Sequence, residues 1–138
     1  QLKLKNLIFA GRVDVVEYMK KLDFTILTSL SEGQPLSVLE SMAAGRPCVT
    51  TDVGCCRELL EGGPGDELGE AGICVPPMRR EDLAHAMGRM ARKTNMRLLM
   101  GRAGKERVRQ YYRKETMIRT YRAVYEEVMR QWQESGSS

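Results

Sequence analysis

The stretch FTILTSLSEGQPLSVLESMAAGRPCVTT, from Phe24 to Thr51, holds two β-type runs on either side of a helical segment. The first run, Phe24 to Ser29, is rich in β-branched residues, and the second is Pro47 to Thr51. A helix is predicted between them, from about Leu36 to Ala44, and it ends at Gly45, where glycine readily adopts a left-handed cap. Two such runs joined through a helix predict parallel strands with a right-handed crossover.

The flanking sequence continues this alternation. Upstream, Asn6 to Ala10 is a short apolar run that stops at Gly11 and predicts a buried strand. Asp14 is expected to cap a helix over Val15 to Lys21. The elements predicted downstream are a helix from Gly54 to Glu61, a strand from Gly72 to Val75, and helices from Arg80, from Asn95 to Gln110 and through Tyr121 to Trp132. We therefore predict an α/β layered sheet with four visible parallel strands.

The helix patterns also predict how two helices pack. Val38, Leu39, Met42 and Ala43 are expected to pack the central helix against the sheet, with Glu40 facing the ligand cleft. The last helix carries an apolar stripe that is wide for a surface element, and part of it is expected to be solvent-exposed or covered by a crystal or dimer contact. That stripe consists of Tyr121, Val124, Tyr125, Val128 and Trp132. The final residues, Ser135 to Ser138, are predicted to be a disordered tail.

Composition excludes several classes of protein. A chain of 138 residues fits one compact domain. No apolar run approaches the roughly 20 residues of a bilayer span, so neither a signal peptide nor a transmembrane helix is expected. The cysteines form no C-x-x-C pair and the chain has one histidine, which argues against a zinc site. We interpret Cys48, Cys55, Cys56 and Cys74 as free thiols of a reducing cytoplasm.

Positive charge is concentrated in the C-terminal third. The net charge is +4, and from Arg89 to Arg130 there are 13 Lys or Arg against 4 Asp or Glu. A cationic helical face can attract nucleic acid or anionic lipid, and the alternative is a solvated helix surface. The second interpretation is favoured because the region has no aromatic stacking pattern or nucleic-acid motif. No nucleic-acid partner is expected.

The turn between the first central strand and its helix has the features of a phosphate cradle. Leu36 and Ser37 fall in the first helical turn, where N–H groups lack intrahelical partners and the helix dipole favours an anion. Gly33 lets the backbone approach a ligand closely, and Pro35 fixes the entry of the chain into the helix. Sheets of this kind bind ligands at the carboxyl ends of their strands. The loops expected there are Gly11 to Val13, Ser29 to Pro35 and Thr51 to Gly54.

Two glutamates, Glu32 and Glu40, lie eight positions apart around this turn. A carboxylate can accept hydrogen bonds from two vicinal hydroxyls, so a sugar or a ribose is a natural partner for either side chain. Taken singly, each residue also has a simpler interpretation. Glu32 can aid the helix dipole as a loop residue, and Glu40 can be a surface charge.

Taken together, the segment resembles the E-x-x-x-x-x-x-x-E region of glycosyltransferase family 4, retaining enzymes with two Rossmann-like domains, the GT-B fold. The positions that match are Ser29, Glu32, Gly33, Pro35, Leu39, Glu40, Met42, Ala43, Gly45, Pro47 and Val49. Phe9 to Val13 resembles the G-x-V loop of the family, Asp52 to Leu59 its D-x-G…E-L element, and Gly69 to Pro77 its G-x-L-V-P-P close. Thr51 to Leu60 is most similar to the PelF type, which makes the cationic bacterial exopolysaccharide Pel from UDP-glucose.

The resemblance implies a Rossmann-like three-layer domain over residues 1–134, the C-terminal donor-binding half of a GT-B enzyme. Glu32 would contact the donor sugar as the catalytic residue, and Glu40 would hold the ribose hydroxyls. The diphosphate would meet the N–H groups of Leu36 and Ser37 in a cradle shaped by Gly33, Gln34 and Pro35. The nucleotide base would lie against the main chain of Gly11, Arg12 and Val13.

The implied function is transfer of a hexose, with retention, from a nucleotide sugar such as UDP-glucose to a polysaccharide or glycan acceptor in the cytoplasm. No cofactor is expected, and no divalent metal, because no Asp-x-Asp cluster is present. Family members begin this domain with further strands and helices carrying an Arg and a Lys that clamp the diphosphate. Nothing before Gln1 supplies these or the N-terminal acceptor domain, so we expect a truncated part that is inactive alone.

Two further expectations concern partners. The resemblance implies that the enzyme works with a membrane-associated polysaccharide synthesis complex. The alternative function is a non-catalytic module that binds a sugar nucleotide or another protein.

Overall fold

The computed structural model describes residues 4–135 and shows a parallel three-stranded sheet with six helices among them. In chain order the elements are α1 (Val15–Met19), β1 (Thr25–Leu27), α2 (Leu36–Ala43), β2 (Cys48–Thr51), α3 (Cys56–Glu61), β3 (Gly72–Val75), α4 (Arg80–Arg92), α5 (Thr94–Tyr111) and α6 (Lys114–Ser135). The strands lie in the order β1-β2-β3, and Cys48 on β2 is paired with Thr25 on one side and Gly72 on the other. The predicted parallel α/β architecture is confirmed.

The core lies on both faces of the central strand β2. Cys48 and Val49 are neighbours on this strand, so their side chains point to opposite faces of the sheet. Cys48 belongs to a buried cluster with Val38 of α2 and Leu59 of α3. Val49 belongs to a second cluster with Met90 of α4 and further residues of α4 and α5. Helices therefore cover both faces, and the sheet is the middle of three layers.

Helix α2 packs on the sheet largely as predicted. Val38 and Met42 are fully buried and Leu39 is partly buried. Ser41 is also buried, and its hydroxyl lies 2.7 Å from the Thr25 hydroxyl and donates to a backbone carbonyl 2.9 Å away. Ala43 is exposed, so its predicted packing is wrong. At about 100° per residue, Ala43 turns away from the face shared by the other side chains.

The predicted strand over Asn6 to Ala10 is not present. Ile8 is 84% exposed and Phe9 is 89% exposed. A parallel strand that is apolar on both sides needs a neighbouring strand and cover on both faces. Within residues 4–135 this run receives neither, and the sheet has three strands where four were predicted.

Helix α1 follows this exposed run and is tied to the rest of the domain at its end. The predicted cap is confirmed, because Asp14 Oδ1 accepts a hydrogen bond of 3.2 Å from the Glu17 N–H. The helix ends at Met19, two residues before its predicted end. The Arg46 guanidinium donates to the Met19 carbonyl at 3.2 Å and to the Lys20 carbonyl at 2.7 Å. The α2–β2 turn thus holds the end of α1.

The C-terminal helix α6 has no buried residue. Its stripe is solvent-exposed, as predicted: Tyr121, Val124, Tyr125, Val128 and Trp132 are each between 56% and 70% exposed. Of the predicted disordered tail, Ser135 ends α6, and the remaining residues lie outside the described range. Among residues 4–135, no helix is both long enough and apolar enough to cross a bilayer.

Arg107 of α5 is the largest fully buried side chain in the described range, and the sequence analysis did not predict its role. Its guanidinium donates to both carboxylate oxygens of Asp66, at 2.6 and 3.0 Å. It also donates to the carbonyls of Leu60, at 2.9 Å, and Gly69, at 2.6 Å. One buried cation therefore fixes the glycine-rich loop between α3 and β3 onto α5.

This ion pair makes stability depend on pH. The hydrogen bond from Arg107 is the main reason why the pKa of Asp66 lies below its ordinary 3.8. Because the carboxyl binds its proton less readily in the folded state, its contribution to stability is present above pH 3.8 and is lost as the pH falls below that value.

Replacing Asp66 with Asn should lower the free energy of unfolding at pH 7 by about 3 to 5 kcal/mol, because Arg107 would remain buried without its counter-charge. Urea denaturation of the chain measures the loss. Glu61→Gln is the control, since Glu61 pairs with Arg57 on the surface and its loss should cost about 1 kcal/mol or less. The difference between wild type and Asp66→Asn should shrink below pH 3.8. Equal effects of the two substitutions at pH 7 would contradict this account of Arg107.

Candidate functional site

The loops that follow β1 and β2 meet at one edge of the sheet, as predicted. Parallel pairing places Leu27 beside Thr50, so both strands end at this edge. Beyond the pairing, Thr51 Oγ1 donates to the Ser29 carbonyl at 2.6 Å. The Cys55 N–H donates to the Gly33 carbonyl at 3.0 Å. The end of β2 and the loop after it thus support the turn from Ser29 to Pro35 at two points, Ser29 and Gly33.

Gly54 lies where these two loops come closest. Its φ is +54°, a conformation that L side chains rarely adopt. A Cβ at this position would overlap the carbonyl oxygens of both Glu32 and Gly33. The close approach of the β2 loop to the turn therefore requires glycine.

Glu32 is half-buried in the turn that follows β1, and a neighbouring side chain holds its carboxylate. Ser29 Oγ donates to Glu32 Oε1 at 2.6 Å. Among the hydrogen bonds of the described residues, this one engages a single carboxylate oxygen and leaves the second oxygen open. A carboxylate held in this way can accept hydrogen bonds from the hydroxyls of a ligand.

The start of α2 is as predicted, with Leu36 and Ser37 in its first turn. Pro35 is buried in the N-cap position, in an extended conformation with φ −72° and ψ 114°, and no side chain caps the helix. Gln34, Leu36 and Ser37 are all exposed. The Val38 N–H donates to the Pro35 carbonyl at 3.2 Å. The N–H groups of Leu36 and Ser37 have no partner within the helix and belong to residues that a ligand can reach.

Glu40 lies one helical turn beyond Leu36, on the same exposed side of α2 and away from the buried Val38 and Met42. No hydrogen bond joins Glu40 to the turn within residues 4–135, and its contact with a ribose remains a prediction. The same holds for the predicted base loop. Gly11, Arg12 and Val13 are exposed, with φ +68° at Gly11.

Asp52, directly after β2, is committed to an ion pair. Arg57 Nη2 lies 2.7 Å from Asp52 Oδ2, and the same guanidinium reaches Glu61 at 2.6 Å. The hydrogen bond from Arg57 lowers the pKa of the Asp52 carboxyl. The Arg57 guanidinium therefore offsets the negative charge of Asp52 at the start of the loop that contacts the turn.

The structure also brings cations to the turn that the sequence analysis did not single out. Gln34 and Leu36 line a groove of about 510 Å³, and its lining also includes Arg113 and Lys114 at the junction of α5 and α6. A smaller groove of about 160 Å³ lies at the strand ends and contains Thr51, Arg79 and Arg80 among its lining residues. For Arg113 and Lys114, the sequence indicated only the general basicity of the C-terminal third, because a charge count does not show where a side chain lies in the fold.

The four cysteines are free thiols, as predicted. Burial raises the pKa of Cys48 to about 11, and burial likewise raises the pKa of Cys74. Such thiols stay protonated near neutral pH and are poor nucleophiles or metal ligands. Within the described residues, no group of three or more His, Cys, Asp or Glu side chains is placed to hold a metal ion. Independence from a divalent metal remains a prediction.

Comparison with known proteins identifies the family. Residues 1–93 match the family described as glycosyl transferases group 1. The chain belongs to this family.

Two curated relatives match most of the chain. It is 30% identical over 133 residues to the N-acetyl-alpha-D-glucosaminyl L-malate synthase of Bacillus anthracis, covering 91% of this chain and 32% of that protein. It is 30% identical over 129 residues to the lipopolysaccharide core biosynthesis mannosyltransferase of Rhizobium meliloti, covering 91% of this chain and 35% of that protein. The chain spans about a third of the length of these relatives.

The fold has a counterpart among solved structures. Sucrose-phosphate synthase from Thermosynechococcus elongatus superposes with a TM-score of 0.78 at 24% identity, over 90% of this chain and 30% of that one. This likeness confirms the Rossmann-like fold with its parallel sheet. The resemblance to glycosyl transferases group 1 is confirmed. The PelF type, the donor sugar and the stereochemistry of transfer remain predictions.

Gly54→Ala should lower the free energy of unfolding by roughly 2 to 4 kcal/mol, because alanine is strained at this φ and its Cβ would displace the Glu32 and Gly33 carbonyls. Gly63→Ala is the control, since nothing lies within 4 Å of its added Cβ. Urea denaturation gives the energies, and amide chemical shifts report displacement of Ser29 to Leu36. Unchanged shifts and stability in Gly54→Ala would show that the two loops do not depend on this contact.

Proposed function

We propose that the chain is the donor-binding half of a retaining glycosyltransferase of GT-B architecture. The proposed reaction transfers a hexose from UDP-glucose to a polysaccharide or glycan acceptor bound by another domain. The observation that carries the proposal is the turn from Ser29 to Ser37, where an oriented carboxylate and open helical N–H groups share one edge of the sheet. Membership of the group 1 family supports the reaction class.

The diphosphate of the donor is proposed to lie over the start of α2. Its negative charge favours the N–H groups of Leu36 and Ser37 and the positive end of the helix dipole. Arg113 and Lys114 line the same groove as Gln34 and Leu36 and would add positive charge beside the diphosphate. These groups would stabilise the charge that develops on the departing diphosphate.

The two ends of the donor are assigned to different glutamates. Glu32 is half-buried and oriented at the strand end, which suits contact with hydroxyls of the transferred sugar. Glu40 is exposed one turn into α2 and is assigned to the ribose hydroxyls, with Gly11, Arg12 and Val13 against the base. In the proposed transfer, the acceptor attacks the face from which the diphosphate leaves, through an oxocarbenium-like transition state.

We propose the donor and the cellular location from the similarity of Thr51 to Leu60 to the PelF type. That similarity favours UDP-glucose and a cytoplasmic enzyme that serves a membrane-associated polysaccharide synthesis complex. Four free cysteines are consistent with a reducing compartment. The curated relatives support sugar transfer in general, since their names specify different sugars and products.

Substitution of the two glutamates should separate their roles. Glu40→Gln should weaken binding of UDP about 10- to 100-fold, because a charge-assisted hydrogen bond contributes about 1.5 to 3 kcal/mol. Glu32→Gln should leave UDP binding nearly unchanged and reduce kcat of the full-length enzyme. Calorimetric titration of UDP and UDP-glucose, together with steady-state kinetics, measures both effects.

Glu70→Gln is the matched control, because Glu70 is exposed and precedes β3, at the edge of the sheet opposite to the turn. Equal losses of UDP affinity in the Glu32 and Glu40 variants would remove the assignment of Glu32 to the sugar. A full-length protein that binds UDP-glucose tightly but transfers no sugar to any glycan would instead support a non-catalytic binding module.

The donor and stereochemistry are tested on the full-length enzyme. UDP should bind more tightly than GDP or ADP, UDP-glucose should be the preferred substrate, and proton NMR of the first product should show the same anomeric configuration as the donor. Tighter binding of GDP would contradict the choice of donor. A product of inverted configuration would contradict the mechanism but not family membership.

A further inference from the structure

Ser29 connects the central strand to the Glu32 carboxylate. It lies two residues beyond the end of β1 and is half-buried. Its carbonyl accepts a 2.6 Å hydrogen bond from Thr51 Oγ1, and Thr51 is a buried residue at the end of β2. Its hydroxyl donates to Glu32 Oε1 at 2.6 Å. The chain of contacts therefore runs from a buried strand, through one serine, to the carboxylate.

A glutamate on a loop has several staggered side-chain conformations, and most would turn its carboxylate away from a ligand at the strand end. A hydrogen bond from a hydroxyl to an ionised carboxylate is stronger than one between neutral groups. Because the Ser29 backbone is itself tied to β2, its hydroxyl has a defined position. The bond to Oε1 therefore selects one orientation of Glu32 and leaves Oε2 for another partner.

We propose that Ser29 is a positioning residue that acts through Glu32: it holds one carboxylate oxygen so that the other meets the donor sugar. The inference rests on the proposed function, because it requires Glu32 to contact the sugar. Ser29 would contribute to catalysis only through the orientation of the Glu32 side chain. Functional sites need such support, since a misplaced contact group loses most of its effect in the transition state.

The first test is Ser29→Ala in the full-length enzyme. Without the hydroxyl, kcat for UDP-glucose should fall about 10- to 100-fold, as expected for loss of one charge-assisted hydrogen bond. Affinity for UDP should stay within about 2-fold, because UDP carries no donor sugar. Ser29→Thr keeps the hydroxyl and should restore most of kcat. A fall in UDP affinity as large as the fall in kcat would overturn the proposal.

Ser41→Ala is the matched control. Ser41 is a buried serine whose hydroxyl contacts Thr25 and the Arg46 carbonyl on the sheet side of α2. Its replacement should lower the thermal unfolding temperature while leaving kcat of the folded enzyme nearly unchanged. If Ser29→Ala lowers the yield of folded protein, Ser29→Cys supplies a second variant with a side chain of similar size and a weaker donor. Its kcat should lie between those of wild type and Ser29→Ala.

A double-mutant cycle separates this proposal from the proposed function. In a Glu32→Ala background, Ser29→Ala should cost no further activity, because Ser29 acts only through the missing carboxylate. If the two losses multiply, Ser29 acts independently and the proposal is wrong. If Glu32→Ala alone leaves kcat unchanged, the assignment of Glu32 in the proposed function fails first. If Glu32→Ala lowers kcat but Ser29→Ala behaves like wild type, only the role of Ser29 is refuted.

Discussion

Parallel pairing of β1 with β2 is the constraint on which the candidate site depends. The pairing of Leu27 with Thr50 sends both strands out at one edge of the sheet, so that their following loops lie side by side. Hydrogen bonds from Thr51 and Cys55 then join the two loops, and Gly54 allows their backbones to approach. The position of Glu32 therefore depends on strand register, because a shift of β2 by one residue would remove the Thr51 contact.

Helix α2 combines a packed side with an open end. Val38, Ser41 and Met42 are fully buried against the sheet, which fixes the axis and rotation of the helix. The same geometry leaves the first-turn N–H groups at the sheet edge, where no side chain caps them. A short polar cap would satisfy those groups and compete with a ligand for them. Pro35 contributes no side-chain acceptor, so the N–H groups of Leu36 and Ser37 stay available to a ligand.

The sequence predicted those parts of the fold in which local and tertiary preferences agree. The strand from Gly72 to Val75, the helix beginning at Leu36 and the left-handed residue Gly45 were predictable, because pattern, cap and packing favour the same structure. The run from Asn6 to Ala10 has strand-like residues, but strand formation also needs a pairing partner and cover, which the run itself does not encode. A buried ion pair such as Arg107 with Asp66, 41 residues apart, gave no signal in a charge count.

In the candidate site too, some features were predictable from the sequence and others were not. The helix start at Leu36 was predicted from turn chemistry, and its binding of a diphosphate stays a prediction. The Ser29 contact with Glu32 and the position of the cations at the α5–α6 junction depend on atomic positions. A sequence motif specifies which side chains are present at a strand end. It does not state which hydroxyl orients which carboxylate, since that depends on rotamers and on the support of a neighbouring strand.

The domain holds the two ends of the predicted donor site with different numbers of contacts. The turn at Glu32 is bonded to the central strand, which is buried on both faces. The loop at Gly11 to Val13 precedes a five-residue helix without buried residues, whose described tie to the domain is Arg46 at its far end. In the proposed function, contacts at the sugar and diphosphate must be accurate when bonds break, because the stabilising groups act on a specific charge distribution. The proposed main-chain contacts to a base need only provide affinity, so they make a weaker demand on the rigidity of their loop.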